Sequence, residues 1–171
     1  MKICYQEVTS PIGPLFIVAD NRFLKAITFS NNWKGAKETL EDIHHDNNQI
    51  IQQTRIQLAE YFAKQRRTFT LPIALNGTFF QQQTWQALLT IPYGETRSYS
   101  EQAHLIGNPK AVRAVGRTNG LNPIPIVVPC HRVIGKSGKL AGYAGGLDIK
   151  TFLLELEGNN VSHGSLAQAT P

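Results

Sequence analysis

The stretch Ser98-Tyr99-Ser100-Glu101-Gln102-Ala103-His104-Leu105-Ile106-Gly107-Asn108-Pro109-Lys110-Ala111-Val112-Arg113-Ala114-Val115-Gly116-Arg117-Thr118-Asn119 reads as two short helices joined by a tight turn. Ser98 with Glu101 three residues later forms a capping box, in which each side chain satisfies a backbone donor that the first helical turn leaves open. Gly107 stops that helix, and Asn108-Pro109 predicts the start of the next, with proline at the first helical position. Two helices around a Gly-Asn turn make a helix-turn-helix. On the second, Lys110, Arg113 and Arg117 fall at i, i+3 and i+7, whereas Val112 and Val115 face the other way. An ordinary solvated helix also carries such a stripe. The capped starts and the absence of any Asp or Glu between residues 102 and 147 weigh toward DNA.

Upstream, Thr78-Phe79-Phe80-Gln81 is a second capping box. Phe80, Thr84, Ala87, Leu88 and Ile91 then recur on one helical face, Trp85 adds to its packing, and Pro92-Tyr93-Gly94 ends the helix. Asn76-Gly77 is a turn signal at a change of composition. Before it, Ile3 to Val8, Leu15 to Ala19 and Leu24 to Phe29 predict antiparallel strands separated by Ser10-Pro11-Ile12-Gly13 and Asp20-Asn21-Arg22. A polar connection with His44-His45 in a loop follows, then a helix over Gln52 to Lys64. The expected organisation is an N-terminal domain over 1–76, a second domain over 77–158 and a flexible tail over 159–171.

The 171 residues, 42% hydrophobic, are enough for a packed core, and the formal charge of +5 favours a polyanionic partner. Lys110, Arg113, Arg117, Arg132, Lys136 and Lys139 concentrate that charge in the acid-free stretch. Met1 to Glu7 has no apolar signal core and no apolar run is long enough to span a bilayer, so the expectation is a cytoplasmic protein without membrane contact. Cys4 and Cys130 are expected as free thiols. Neither the cysteines nor His44-His45, His104 and His163 have the spacing of a zinc site, so no metal is expected.

One of those two cysteines sits in Pro123-Ile124-Pro125-Ile126-Val127-Val128-Pro129-Cys130-His131-Arg132-Val133, where an apolar run ends at proline. Neighbouring positive charge is expected to lower the thiol below its usual pKa of about 8.5, making Cys130 a candidate nucleophile. A regular strand would send Cys130 and His131 to opposite faces, but Pro129 implies a turn. There His131 can reach the thiol directly or through one water and act as its base. The last helix, Leu147 to Glu157, carries the stripe Ile149, Phe152, Leu153 and Leu156. Glu157 follows at its C-terminal end, where a carboxylate is disfavoured by the helix dipole unless something holds it. Spacing alone makes Glu157 an exposed acid.

The ordered set Gly107 to Gly116, Asn122-Pro123-Ile124-Pro125-Ile126 and Pro129-Cys130-His131-Arg132-Val133 resembles the O6-alkylguanine-DNA alkyltransferases, also called methylated-DNA-protein-cysteine methyltransferases. The resemblance runs from Gly77 through Ile91-Pro92-Tyr93-Gly94 and Ser98-Tyr99 to Tyr143-Ala144-Gly145-Gly146 and Leu154 to Gly158, and more weakly to the strands around Ser10-Pro11-Ile12-Gly13. It implies an α+β protein: an N-terminal ribonuclease-H-like α/β domain, then a mostly helical domain with the helix-turn-helix. It also implies a single-turnover methyltransferase. The Cys130 thiolate takes the alkyl group from O6-methylguanine, and from O4-methylthymine, in double-stranded DNA, and the resulting thioether inactivates the protein.

In that family pattern His131 is the base, acting through a water, and Glu157 holds its tautomer. Arg113 resembles the arginine finger that fills the stack vacated by the flipped base, with Lys110 and Arg117 as further DNA contacts. Tyr99 resembles the residue that crowds the phosphate and donates a proton toward the guanine ring, and Asn122 the asparagine that ties the cysteine loop. Val133, Tyr143 and Ala144 fall at base-contacting positions; alanine at 144 supplies only its backbone N–H where some relatives have serine. The implied binding is through the minor groove, by a monomer capable of cooperative binding, with no cofactor. A damage-binding relative without transfer would lack Cys130. A Cys-His hydrolase would leave the cationic helix-turn-helix unexplained.

Overall fold

Alternating apolar residues produce three consecutive strands, β1 (Ile3–Val8), β2 (Leu15–Ala19) and β3 (Leu24–Phe29), paired antiparallel as expected. These belong to a computed structural model that describes residues 1–162 and 165–166, the last four by backbone only. Two elements intervene where a polar connection was expected: α1 (Ser30–Glu38) and β4 (Ile43–His45). β4 pairs parallel with β1, completing a sheet of order β3-β2-β1-β4. His44 and His45 are therefore exposed residues of an edge strand, not of a loop. α1 buries a single side chain, Trp33, which stacks on Phe16 with centroids 4.5 Å apart. One anchor gives no helical period to read.

α2 (Gln49–Phe62) starts three residues earlier than expected, because the Asn48 side chain caps it by accepting from the Ile51 N–H at 2.9 Å. Its Ile50, Ile51, Thr54, Leu58 and Tyr61 are buried, and the helix packs on β1, β2 and β3.

The chain divides into two compact units, Met1–Leu75 with Pro123–Val127, and Asn76–Asn122 with the residues from Val128 onward. The short excursion Pro123–Val127 thus belongs to the first unit, where the Pro123 carbonyl accepts the Ile27 N–H at 3.0 Å. Ile124 and Ile126 in it are fully buried, and Ile126 has φ of +76°, a left-handed conformation that costs a β-branched residue.

In the second unit α3 (Phe79–Leu88) begins with the expected capping box and is followed by three tightened turns through Ile91, so the helix ends before Pro92. β5 (Arg97–Ser98) leads into α4 (Tyr99–Leu105), again with its capping box. α4 closes in a Schellman motif: Gly107, at φ +73°, donates to His104 O and Asn108 to Ala103 O. α5 (Val112–Asn119) starts three residues later than Pro109 suggests. The Asn108 carbonyl accepts the Ala111 N–H at 3.0 Å, closing a turn with Pro109 inside it, which leaves Lys110 in the connection and not on the helix.

A buried amide pair joins the two helices: Gln102 Nε2 donates to Asn119 Oδ1 at 2.9 Å and Asn119 Nδ2 to Gln102 Oε1 at 2.7 Å. Gln102 also donates to Thr84 O, and Trp85 Nε1 to Thr118 O at 3.0 Å, so α3 is locked to both. A 3-10 turn, Cys130–Arg132, runs into β6 (Val133–Ile134), which pairs parallel with β5. The start of α4 is thereby fixed to the residues next to Cys130. α6 (Leu147–Leu156) completes the unit. Of the tail, Val161–Ser162 (β7) pairs with Ser165–Leu166 (β8), and the flexible segment expected over 159–171 otherwise lies largely outside the described residues.

Candidate active site

Cys130 is placed by backbone geometry. Pro129, at φ −83° and ψ 65°, sits in an inverse γ-turn closed by the Cys130 N–H on Val128 O at 2.8 Å, and the 3-10 turn begins there. Asn122 Nδ2 donates to Val128 O at 2.8 Å and its side chain also hydrogen-bonds Cys130, so one residue ties the turn from both ends. The thiol is buried, and burial pushes its pKa up; the Asn122 bond and the charge of Lys150 pull it down without overcoming that. This reverses the expectation that neighbouring positive charge would lower the thiol pKa. Arg132, the nearest cation in sequence, has its charge engaged elsewhere.

That engagement organises the site. Arg132 Nε and Nη2 form a fork on Glu157 Oε1 and Oε2 at 2.8 and 2.9 Å, and Nη1 donates to Ile91 O at 2.7 Å. Arg132 is 6% exposed, so it leaves the basic surface in which the sequence placed it. Glu157 is 5% exposed and caps α6, correcting its reading by spacing as a surface acid. Burial would raise its carboxyl, but the bonds and charges of His131 and Arg132 more than offset this and hold it well below the usual carboxylate range.

His131 shares the same carboxylate, with Nε2 2.8 Å from Glu157 Oε2. Burial pushes the imidazole down, Glu157 pulls it up, and the charges of Arg132 and Lys150 push it down again, leaving it below its ordinary value and neutral at pH 7. Facing an ionised carboxylate, Nε2 carries the proton. Nδ1 then bears a lone pair, is buried, and has no hydrogen-bond partner among the described residues. A neutral, oriented imidazole with a bare nitrogen is a base waiting for a proton.

The buried face of α6 is Lys150, Leu153, Leu154 and Glu157, not the stripe through Ile149 and Phe152. It has the expected period displaced by one position, with a charged residue at each end. Both charges are buried because each is bonded: Lys150 Nζ donates to Val133 O at 2.7 Å and to Ala141 O at 3.3 Å. Nothing in composition singles out Lys150. The i, i+7 spacing of Lys150 and Glu157 around two leucines is the only signal that could have done so.

A cavity of about 490 Å³ in this unit is lined by Tyr99, Val112, Gly116, Arg117, Gly120 and the run Ala141 to Ala144. It gathers Tyr99, Arg117, Tyr143 and Ala144 from three segments of the unit, and Val112, expected in the core, lines it instead. Burial raises the Tyr99 hydroxyl above its ordinary pKa, with the Cys130 charge adding to this, so it remains a proton donor at neutral pH. Val133 is fully buried and not in the lining; its carbonyl accepts from Lys150 and its N–H donates to Cys130 O. Arg113, Arg117 and Lys110 are exposed, with the two arginines one turn apart on α5. Among the described residues, no group of three His, Cys, Asp or Glu could hold a metal ion, and no helix is long and apolar enough to cross a membrane.

Comparison with known proteins extends over nearly the whole chain. The family model described as 6-O-methylguanine DNA methyltransferase, ribonuclease-like domain, matches residues 3–75, and the one described as its DNA binding domain matches residues 79–159. A methylated-DNA–protein-cysteine methyltransferase of Methanosarcina acetivorans is 50% identical over 155 residues, covering 91% of this chain and 98% of that protein. The constitutive methylated-DNA–protein-cysteine methyltransferase of Bacillus subtilis is 47% identical, covering 90% and 94%. The crystal structure of Mycobacterium tuberculosis OGT in complex with DNA superposes with a TM-score of 0.82 at 47% identity, over 90% of this chain and 92% of that one. With the helix-turn-helix, the buried Cys130 and the His131–Glu157–Arg132 network on one unit, the chain belongs to the 6-O-methylguanine DNA methyltransferase family.

Proposed function

We propose that this chain repairs DNA by moving the alkyl group of O6-methylguanine, and of O4-methylthymine, irreversibly onto Cys130. The observation that carries the proposal is the buried Nδ1 of His131, unpartnered among the described residues and next in sequence to a thiol whose pKa burial pushes up. The thiol proton passes to Nδ1, directly or through one water, while Glu157 stabilises the imidazolium. Sγ then attacks the alkyl carbon; the S–C bond forms, the C–O6 bond breaks, and the electron pair leaves with the base. The Tyr99 hydroxyl supplies a proton to the guanine ring. The tyrosinate is reprotonated from solvent as the imidazolium gives its proton up to solvent, so the thiol proton in effect ends on the guanine and the step balances without a cofactor; the thioether has no route back to the thiol, so each molecule acts once.

The alkylated base must leave the stack for a buried thiol to reach it. Arg113 fills the gap, Lys110 and Arg117 contact the DNA, and the cavity lined by Tyr99, Tyr143 and Ala144 receives the base against the Ala144 backbone. Asn122 holds the turn. The protein acts as a cytoplasmic monomer in the minor groove, capable of cooperative binding along DNA. The DNA complex of the M. tuberculosis protein supports DNA as partner.

The test is intact and peptide mass after mixing with a short duplex containing O6-methylguanine. One methyl on the Cys130 peptide, saturating at one per protein and absent in Cys130→Ala, is expected. Binding of the duplex without a mass change would refute transfer in favour of damage recognition alone.

A further inference from the structure

A second cavity, of about 630 Å³, lies within the first unit, and the transfer step uses none of its residues. One wall is a stripe along α2 and its C-cap, Arg55, Leu58, Ala59, Phe62 and Ala63, at the i, i+3, i+4, i+7 and i+8 spacing of a single helical face. The other is Thr9-Ser10-Pro11, at the start of the turn that joins β1 to β2. Ser10 Oγ donates to Gly13 O at 2.6 Å and the Gly13 N–H donates to Ser10 O at 3.1 Å, with Gly13 at φ +94°, so the turn forms a fixed lip. Buried Val8, Leu15 and Leu58 make an apolar floor. Alanine at 59 and 63, where a larger side chain would close the space, leaves a groove about two helical turns long.

Both ends of the stripe carry a cation. Arg55, at one end, is exposed and has no hydrogen-bond or ion-pair partner among the described residues. At the other end Lys64 follows Ala63 in a Schellman motif, its N–H donating to Tyr61 O while that of Gln65 donates to Glu60 O. Lys64 has φ of +63°, a conformation that glycine adopts freely and lysine does not. A cation is thus kept where backbone geometry favours glycine. Among the described residues no Asp or Glu lines the cavity, and the one acid between residues 55 and 67, Glu60, is engaged by Arg66 at 2.8 Å.

An apolar floor between two separated cations selects a ligand with an apolar centre and a carboxylate on either side of it. A nucleic acid does not fit, because its repeated phosphates would meet Val8, Leu15 and Leu58. Residues 55 to 63 rise about 12 Å along the helix axis, a span that an extended chain covers in about four residues. A bound helix, about 10–12 Å across, would need more volume over that length than the cavity offers. We propose that this groove docks an extended acidic peptide of a partner protein, with an aromatic or branched apolar side chain on the Val8, Leu15 and Leu58 floor and flanking carboxylates facing Arg55 and Lys64. Docking there tethers a partner to the first unit and leaves the cysteine turn, which belongs to the second, unoccupied.

The test is a titration of the 15N-labelled full chain with the peptide acetyl-Asp-Phe-Leu-Asp-amide, followed by backbone amide shifts. Saturable shifts confined to Val8 through Ser10 and Arg55 through Lys64 are expected, with Kd of about 0.1–1 mM for so short a ligand. The counterparts Lys-Phe-Leu-Lys and Asp-Ser-Ser-Asp should not saturate at roughly 5 mM, the first lacking the charge and the second the apolar centre. Arg55→Glu should weaken binding by about fivefold or more while methyl transfer is unchanged, and Ala59→Trp, which fills the groove, should abolish it. Shifts that do not saturate or that centre elsewhere, equal binding of either counterpart, or full affinity in R55E or A59W would each overturn the proposal. Should A59W fail to fold, R55E decides, because it leaves the apolar floor intact. Broadening of the same amides on raising the protein concentration without peptide would identify a second copy as the occupant and overturn the foreign peptide. The titration uses no DNA, so its result stands apart from the alkyl-transfer reading.

Discussion

Replacing Arg132 by Met strips Glu157 of both bonds of the guanidinium fork and leaves a carboxylate that is 5% exposed with His131 as its remaining named partner. Breaking a buried pair from one side costs about 3–5 kcal/mol, because the surviving charge stays desolvated. That is a large part of the roughly 5–15 kcal/mol that holds an ordinary domain folded. Glu157→Gln strands the guanidinium instead, with Ile91 O as its other acceptor. The double variant removes both charges together, so its cost should fall short of the summed single costs by at least about 2 kcal/mol. Urea unfolding at pH 7.5, followed through Trp85 in a Trp33→Phe background, reports on the second unit, where Trp85 is buried. Strict additivity would refute the fork as the organising contact.

The pH dependence adds an independent sign. In the wild type the folded carboxyl is depressed, so its contribution is present above the unfolded pKa of about 4.3 and is lost as pH falls toward the folded value. In Arg132→Met the carboxyl keeps the His131 bond but loses the guanidinium, so its folded pKa rises and acidification costs the variant less than the wild type. The stability gap between the two should narrow between pH 7.5 and about 4.5. A gap that widens on acidification contradicts the electrostatic account.

Arg113→Ala is expected to slow repair of O6-methylguanine in duplex far more than attack on free O6-benzylguanine, since only the duplex needs a residue to fill the vacated stack; equal losses on both substrates would remove Arg113 from that role. Lys110→Ala and Arg117→Ala should each weaken duplex binding without changing the rate of bound protein. Each should also flatten the plot of log affinity against log salt by about 0.9 if it contacts one phosphate; an unchanged slope in a titration over salt excludes the contact.

Local signals were legible wherever they were self-contained. Both capping boxes, at Thr78 and Ser98, and the Gly107 stop need only residues within four positions, and β1 to β3 need only alternation and a turn. What was hidden depends on partners distant in sequence. β4 exists because β1, some forty residues earlier, offers an open edge. α5 starts late because the Asn108 carbonyl is taken by a turn, a choice between two bonds that the sequence permits equally. Cys130 and His131 were visible as a pair of reactive residue types, whereas Glu157 was named through family resemblance, and Arg132 was misplaced on the surface. The reason is common to Arg132, Lys150 and Glu157. Charged residues read as exposed until their partners are known, and here the partners are a carboxylate, a guanidinium and backbone carbonyls brought in from other elements.

The excursion Pro123–Val127 bears on how the chain comes off the ribosome. The first unit counts Ile124 and Ile126 among its buried residues, and the Ile27 N–H finds its acceptor on Pro123. Those residues are translated about fifty positions after Leu75. At roughly 5–20 residues per second, the nascent N-terminal sheet waits about 3–10 s for the segment that finishes it. During that interval the segments that are to form the helix-turn-helix, Ser98 to Asn119, have already been synthesised. Vectorial synthesis therefore cannot complete the first unit before about half of the second exists. A nascent chain arrested short of Val127 would expose an unfinished sheet to chaperones and proteases, however well Met1–Leu75 had begun to fold.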